Sequence, residues 1–239
     1  MSNALEIRKL VKNYDGLRAL DGADMTVATG SIVGLLGPNA SGKTTLLKTV
    51  AGLLQPTAGE IRYPDGAPMG PEARGTIGFC PDDMKFPRWM KVKDAFTFYG
   101  DMYEDFSRQR ADELTRILDL SGFIETHIYK LSKGIRERLI LGLTFSRVTR
   151  LYLLDEPLDG IDPVGKTKVI DAILNYKADD ASVLISTHLV KDIEHILDSV
   201  SFLSKGKVVY SGECDAIREE KSQTVEQAYL EVFINETSV

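Results

Sequence analysis

Gly37-Pro38-Asn39-Ala40-Ser41-Gly42-Lys43-Thr44 follows an apolar run, Ser31-Ile32-Val33-Gly34-Leu35-Leu36, and opens a stretch from Lys43 to about Leu53 that reads as a helix. Strand, glycine-containing turn and helix in that order fit the pattern G-x-x-x-x-G-K-[ST]. The chemistry requires these residue types. Glycines let the backbone curl so that successive N–H groups face one concavity. The helix N-terminus adds its partial positive charge, so the loop is suited to hold phosphate groups. Lys43 is expected to reach the outer phosphates, and the Thr44 hydroxyl to ligate magnesium.

A second stretch supports the first. Leu151-Tyr152-Leu153-Leu154-Asp155-Glu156-Pro157 is an apolar strand ending in two carboxylates. In a doubly wound sheet, ligands sit at the carboxyl ends of the strands. Asp155 is therefore placed to hold magnesium, directly or through a water. Glu156 is placed to orient a water attacking a terminal phosphate.

Around these stretches the chain alternates strands and helices. Ala4 to Tyr14, Asp24 to Ala28, Gly59 to Tyr63 and Thr76 to Cys80 read as strands. From about Lys91 to Val148 apolar residues recur at helical spacing, with Phe96, Tyr99 and Tyr103 followed by Leu114, Ile117 and Leu118. Beyond Asp155, a helix is expected from Val164 to Tyr176, started by Pro163. A strand at Ser182 to Ser186, a helix at Leu189 to Leu197, strands near Val200 to Leu203 and Lys207 to Ser211, and a charged helical tail complete the pattern. Alternation of this kind predicts a mostly parallel sheet with helices on both faces.

Composition narrows the function classes. The 239 residues suffice for a sizeable core, and the net charge of −6 argues against a general nucleic-acid binder. The longest apolar runs fall well short of the roughly 18 residues of a membrane span, and the N-terminal residues do not read as a signal peptide. Cys80 and Cys214 lie far apart and are expected to be reduced thiols of a cytosolic protein.

With these residues in view, the chain resembles the ATP-binding-cassette (ABC) ATPases over nearly its whole length. The marks stand in family order. Tyr14 resembles the aromatic that stacks on adenine, and the phosphate loop follows. Thr76-Ile77-Gly78-Phe79-Cys80-Pro81-Asp82 occupies the place of the glutamine loop. Leu131-Ser132-Lys133-Gly134-Ile135 stands where the signature LSGGQ belongs. Leu158-Asp159-Gly160-Ile161-Asp162-Pro163 resembles the loop that crosses the dimer interface, and Ser186-Thr187-His188 matches the switch histidine. This chain departs from the pattern at Ala40 (for a loop glycine), Asp82 (for the glutamine), Lys133 and Ile135 in the signature, and Asp159.

The resemblance implies an α/β P-loop NTPase with a mainly parallel core sheet, an N-terminal antiparallel β subdomain and an inserted helical subdomain. It divides one domain, 1–239, into an α/β lobe with the β subdomain (1–84 and 149–213), a helical signature lobe (85–148) and a C-terminal tail (214–239). It implies ATP and Mg2+ as ligands. Catalysis falls to Glu156, His188 and Lys43. Nucleotide binding falls to Tyr14, Gly37, Pro38, Asn39, Ala40, Ser41, Gly42, Lys43, Thr44 and Thr45, with Ser132 and Gly134 contributed by a second nucleotide-binding subunit. Metal binding falls to Thr44, Asp82 and Asp155. The expected partner is an integral membrane permease, met through Lys85 to Tyr103, with Phe86, Trp89 and Met90 as a hydrophobic seat. No nucleic acid is expected. The chain would sit in the cytoplasm, peripheral on the inner face of the cell membrane, as the ATPase of an exporter. Two other readings stand beside this one: a soluble ATPase of the same superfamily acting on ribosomes or nucleic acid, and a regulatory subunit with little turnover.

Overall fold

The computed structural model describes residues 2–63, 70, 75–221 and 223–237. Residues 222, 238 and 239 of the expected tail lie outside the described residues. β1 (Asn3–Tyr14) and β2 (Leu17–Ala28) form a hairpin, and β4 (Ala58–Arg62) joins the other side of β1. The resulting antiparallel sheet has the order β2-β1-β4. The hairpin turns through Asp15-Gly16, so β2 begins seven residues earlier than the apolar pattern predicts. Gly16 takes the positive φ of +88° at the turn, a conformation glycine adopts without strain, and Tyr14 is left directly opposite Leu17.

The main sheet contains β3 (Ile32–Leu36), β5 (Ile77–Cys80), β6 (Leu151–Asp155), β7 (Ser182–Thr187), β8 (Ser199–Ser204) and β9 (Lys207–Glu213). Its order is β5-β6-β7-β3-β8-β9, parallel except where β9 turns back on β8. Every residue of β3, β6 and β7 is buried, as in strands covered on both faces. Alternate side chains divide between two cores. Ile32, Leu36, Tyr152, Leu154, Val183 and Ile185 join the helices on one face. Val33, Leu35, Leu151, Leu153 and Leu184 join the antiparallel sheet and the phosphate-loop helix on the other.

The helices are α1 (Lys43–Val50), α2 (Val92–Met102), α3 (Arg108–Ile117), α4 (Lys133–Phe145), α5 (Pro163–Tyr176), α6 (Val190–Ile193), α7 (Cys214–Lys221) and α8 (Val225–Thr237). None among the described residues is long and apolar enough to cross a membrane. The helical segment is fastened to the sheet by Phe145 stacked on Tyr152, ring centroids 4.4 Å apart. Buried Arg147 adds to this, donating to the Ile77 and Gly75 carbonyls and to Asp105.

Three expectations are corrected here. α1 stops at Val50 rather than near Leu53, because Gly52 turns the chain at a φ of +71°, a conformation that ends helices. The helix expected from Leu189 to Leu197 shrinks to the single turn α6. Val190, Ile193, Ile196 and Leu197 are buried as a helical face would be, but Asp198 ends the segment by pinning Ile32 through both its side chain and its backbone N–H. Met90, expected in an exposed seat, is buried and part of the core. Phe86 packs partly against that core, and only Trp89 stands out, 67% exposed. Both cysteines are free and buried.

Candidate functional site

The parallel register aligns the strand ends that matter. Leu36 pairs with Thr187, and Asp155 with Ser186, so the turn after β3, the carboxylates after β6 and the histidine after β7 share one edge of the sheet. The turn itself is tightly built. A Cβ on Gly37 would lie 2.4 Å from the Leu203 carbonyl, and one on Gly42 would lie 2.6 Å from the Ala19 carbonyl. Gly42 also has a φ of +110°, which L-residues rarely adopt. Ala40 sits at +63°, inside the small left-handed island open to L-residues.

A cleft of about 540 Å3 opens above this turn, within the usual range for small-ligand sites. Tyr14, Asn39, Ala40, Ser41, Gly42, Lys43, Thr44, Thr45, Asp82 and Glu156 line it. Asp155 lies buried beneath, and His188 sits behind Glu156 rather than in the lining. Ser132 and Gly134 are on the helical segment and do not line this cleft. Arg18 and Lys205 do, and the sequence reading missed both. The signal for Lys205 was present: Lys205-Gly206 is a turn pair between two apolar strands, and Gly206 N–H donates to the Ser41 carbonyl at 2.9 Å, supporting the loop from below.

Within the site the charges form a chain. Lys43 Nζ donates to the carbonyls of Gly37 (2.8 Å) and Pro38 (3.2 Å) and pairs with Glu156 Oε1 at 3.2 Å. Glu156 Oε2 accepts from His188 twice, from Nδ1 at 3.0 Å and from the backbone N–H at 3.3 Å. The two carboxylate oxygens thus have different holders. The backbone of Glu156 is itself left-handed, at a φ of +50°. Its N–H is fixed by the Ser186 carbonyl at 3.0 Å.

Below, Asp155 Oδ1 accepts from Ser186 Oγ at 2.6 Å and from Thr44 Oγ1 at 3.1 Å. Asp155 Oδ2 and Ser41 Oγ are buried without a hydrogen-bond partner. Buried polar atoms are ordinarily paired, so both oxygens fit a ligand brought into the cleft. Among the described residues no three His, Cys, Asp or Glu side chains are gathered to hold a metal by themselves. One carboxylate and one hydroxyl suit magnesium, which is usually held by few protein ligands together with phosphate and water.

Asp82 stands at the rim. Desolvation and the nearby Asp155 carboxylate push its own carboxyl above the usual range, Lys133 opposing them. Glu137, on α4, is pushed up to about 7 by burial and then by Asp82. The unfolded chain therefore releases this proton at lower pH than the folded chain, and stability falls as pH rises from the ordinary carboxylate range toward 7. Glu137→Gln is accordingly expected to stabilise the fold at pH 8 by on the order of 1–3 kcal/mol. The gain should vanish near pH 4, as read by thermal melts at both pH values. An equal change at the two pH values would show that packing, not titration, is responsible.

Comparison with known proteins agrees with this geometry. The family model described as "ABC transporter" matches residues 20–159. The chain is 31% identical over 224 residues to the uncharacterized ABC transporter ATP-binding protein YxlF of Bacillus subtilis, covering 92% of this chain and 75% of that one. It is 30% identical to the daunorubicin resistance ATP-binding protein DrrA3 of Streptomyces coeruleorubidus, covering 91% and 70%. A solved structure described as an ATP binding subunit of an ABC transporter superposes with a TM-score of 0.85 at 26% identity, over 96% of this chain and 99% of the other.

Proposed function

Because the chain belongs to the ABC transporter family and is one of its ATPases, we propose that it powers an exporter by closing as a head-to-tail dimer around two ATP molecules. Each site would combine Lys43, Thr44, Asp155, Glu156 and His188 of one chain with Ser132 and Gly134 of the other. The observation that carries this reading is the pair of unsatisfied oxygens, Asp155 Oδ2 and Ser41 Oγ, beneath a loop too tight for side chains at Gly37 and Gly42. The likeness to a daunorubicin resistance protein supports export.

In this reading each residue has its part. The loop amides and Lys43 receive the polyphosphate, and Tyr14 stacks on the base at the cleft rim. Magnesium, held by Thr44 and Asp155, would neutralise phosphate charge. Lys43 now pairs with Glu156 Oε1. When Lys43 turns to phosphate, that oxygen loses its cation, while Oε2 keeps its two bonds from His188. Glu156 is then a carboxylate anchored at one oxygen and open at the other, suited to orient a water and take its proton. His188 acts here by holding Glu156 in place.

Asp82 tests the metal assignment. Asp82→Ala is expected to raise the magnesium concentration for half-maximal turnover about tenfold, the effect of losing an outer partner of a metal site. An unchanged magnesium dependence would leave Asp82 as a rim residue only.

The transport partner would be a membrane permease, with this chain peripheral on the cytoplasmic face. A groove of about 640 Å3 lined by Leu53, Phe79, Met84, Tyr99, Tyr103 and Arg147 lies where both lobes meet and is the proposed seat. It is proposed in place of the seat expected at Phe86, Trp89 and Met90, of which Met90 is buried and Trp89 exposed. Affinity purification from detergent-solubilised membranes tests the whole reading. Recovery of one integral membrane protein, lost on Tyr103→Asp, supports it. Recovery with ribosomes and no membrane protein would overturn it.

A further inference from the structure

Two of the residues that set this chain apart from the family pattern, Lys133 and Asp159, meet each other. Lys133 Nζ donates to Asp159 Oδ2 in an ion pair between the first residue of α4 and the loop after Glu156. Each side chain offsets an unfavourable setting of the other. A lysine at the first position of a helix is opposed by the helix dipole. Asp159 stands in a neighbourhood already crowded with carboxylates, Asp82, Glu137 and Glu156. The bond to Lys133 holds the Asp159 carboxyl below its ordinary range, and Asp159 raises the Lys133 ammonium.

The two segments are also closely packed around the ion pair. The stem of Lys133 runs over Gly160, where an added Cβ would come within 2.8 Å of Lys133 Cδ. A Cβ on Gly134 would lie 3.0 Å from the Gly160 carbonyl. Residues 133–134 and 159–160 therefore form one packed unit with a charged clasp. On one side of it Ser132 caps α4 by accepting from Ile135 N–H, and on the other the Asp159 N–H donates to the Glu156 carbonyl.

We propose that Lys133 and Asp159 are positioning residues for ATP hydrolysis: their ion pair clasps the Ser132–Gly134 turn to the loop carrying Glu156, so that both segments move together. The consequence for the dimer rests on the reading above, in which Ser132 and Gly134 meet the nucleotide of a second copy. The clasp itself does not. Closing one site in trans then also registers the carboxylate of the other.

Two measurements on the full chain test this, each with Lys133→Ala, Asp159→Asn and the charge-reversed Lys133→Asp/Asp159→Lys. The first is hydrogen exchange without nucleotide. Each single variant is expected to exchange about threefold to fivefold faster in both segments, 133–137 and 157–161, the scale of an exposed ion pair. The reversed pair should return close to wild type, and 0.5 M salt should erase the differences. Unchanged exchange, or a reversed pair no better than the singles, would overturn the clasp.

The second measurement is the ATP concentration for half-dimerisation in a Glu156→Gln background, followed by light scattering. The single variants should need about threefold to fivefold more ATP, with monomer affinity for ADP unchanged and recovery in the reversed pair. Loosened segments with an unmoved dimerisation point would overturn the positioning role. Failure of the Glu156→Gln chain to dimerise at any ATP concentration would overturn the dimer reading, and the exchange result would still decide the clasp.

Discussion

Lys43→Ala is expected to lower ATP affinity by about 10²–10⁴-fold and to bring turnover to background. The side chain is 6% exposed, and its ammonium is held by the Gly37 and Pro38 carbonyls and by Glu156 Oε1. Charge-assisted hydrogen bonds contribute roughly 1.5–3 kcal/mol each, and two of them to phosphate give the stated factor. Alanine leaves the loop amides in place, so weak binding persists. It also leaves Glu156 with His188 as its remaining partner, so a modest fall in melting temperature accompanies the loss of binding. Calorimetric titration with ATP and a turnover assay check the result. Undiminished turnover would show that the loop is not the phosphate site.

Glu156→Gln is expected to reduce hydrolysis by about 10²–10⁴-fold, the usual contribution of a positioned base. It should leave nucleotide binding intact. The amide keeps the shape of the side chain, and its oxygen can still accept from His188, as Oε2 does now. What it loses is the open, basic oxygen and the negative charge that competes for Lys43. ATP should consequently hold the variant as a dimer and ADP should not, as read by size-exclusion chromatography with light scattering. A variant that hydrolyses ATP at the normal rate would remove Glu156 from the catalytic role and leave the acidic strand end as a metal site alone.

Much of this was legible in the sequence because the requirements are local. A loop that curls around phosphate needs Gly37 and Gly42 at fixed spacing, and a buried strand ending in Asp155-Glu156 needs an apolar run before them. Strand boundaries near the site agree with the pattern to within a residue or two for the same reason. Contacts between distant residues were not legible. Nothing in the local sequence says that His188 reaches Glu156, that Lys43 is already paired, or that Lys133 finds Asp159, since each depends on which strand lies beside which. Met90 was misplaced because an apolar residue beside an exposed tryptophan reads as surface until the helices behind it are packed. The early start of β2 is signalled by Asp15-Gly16, but the stretch beyond it, Leu17 to Asp21, mixes charged and apolar residues and shows no clear strand alternation.

The left-handed backbone of Glu156 carries a cost that the rest of the chain must cover. Holding a side-chain-bearing residue in that region is disfavoured by roughly 1–2 kcal/mol, and a glycine there would relieve it. That substitution would also leave the buried Lys43 ammonium without its carboxylate and His188 without its acceptor, so the relief of strain is opposed by lost contacts. The strain at residue 156 is thus covered on the spot, by the two partners that grip its carboxylate.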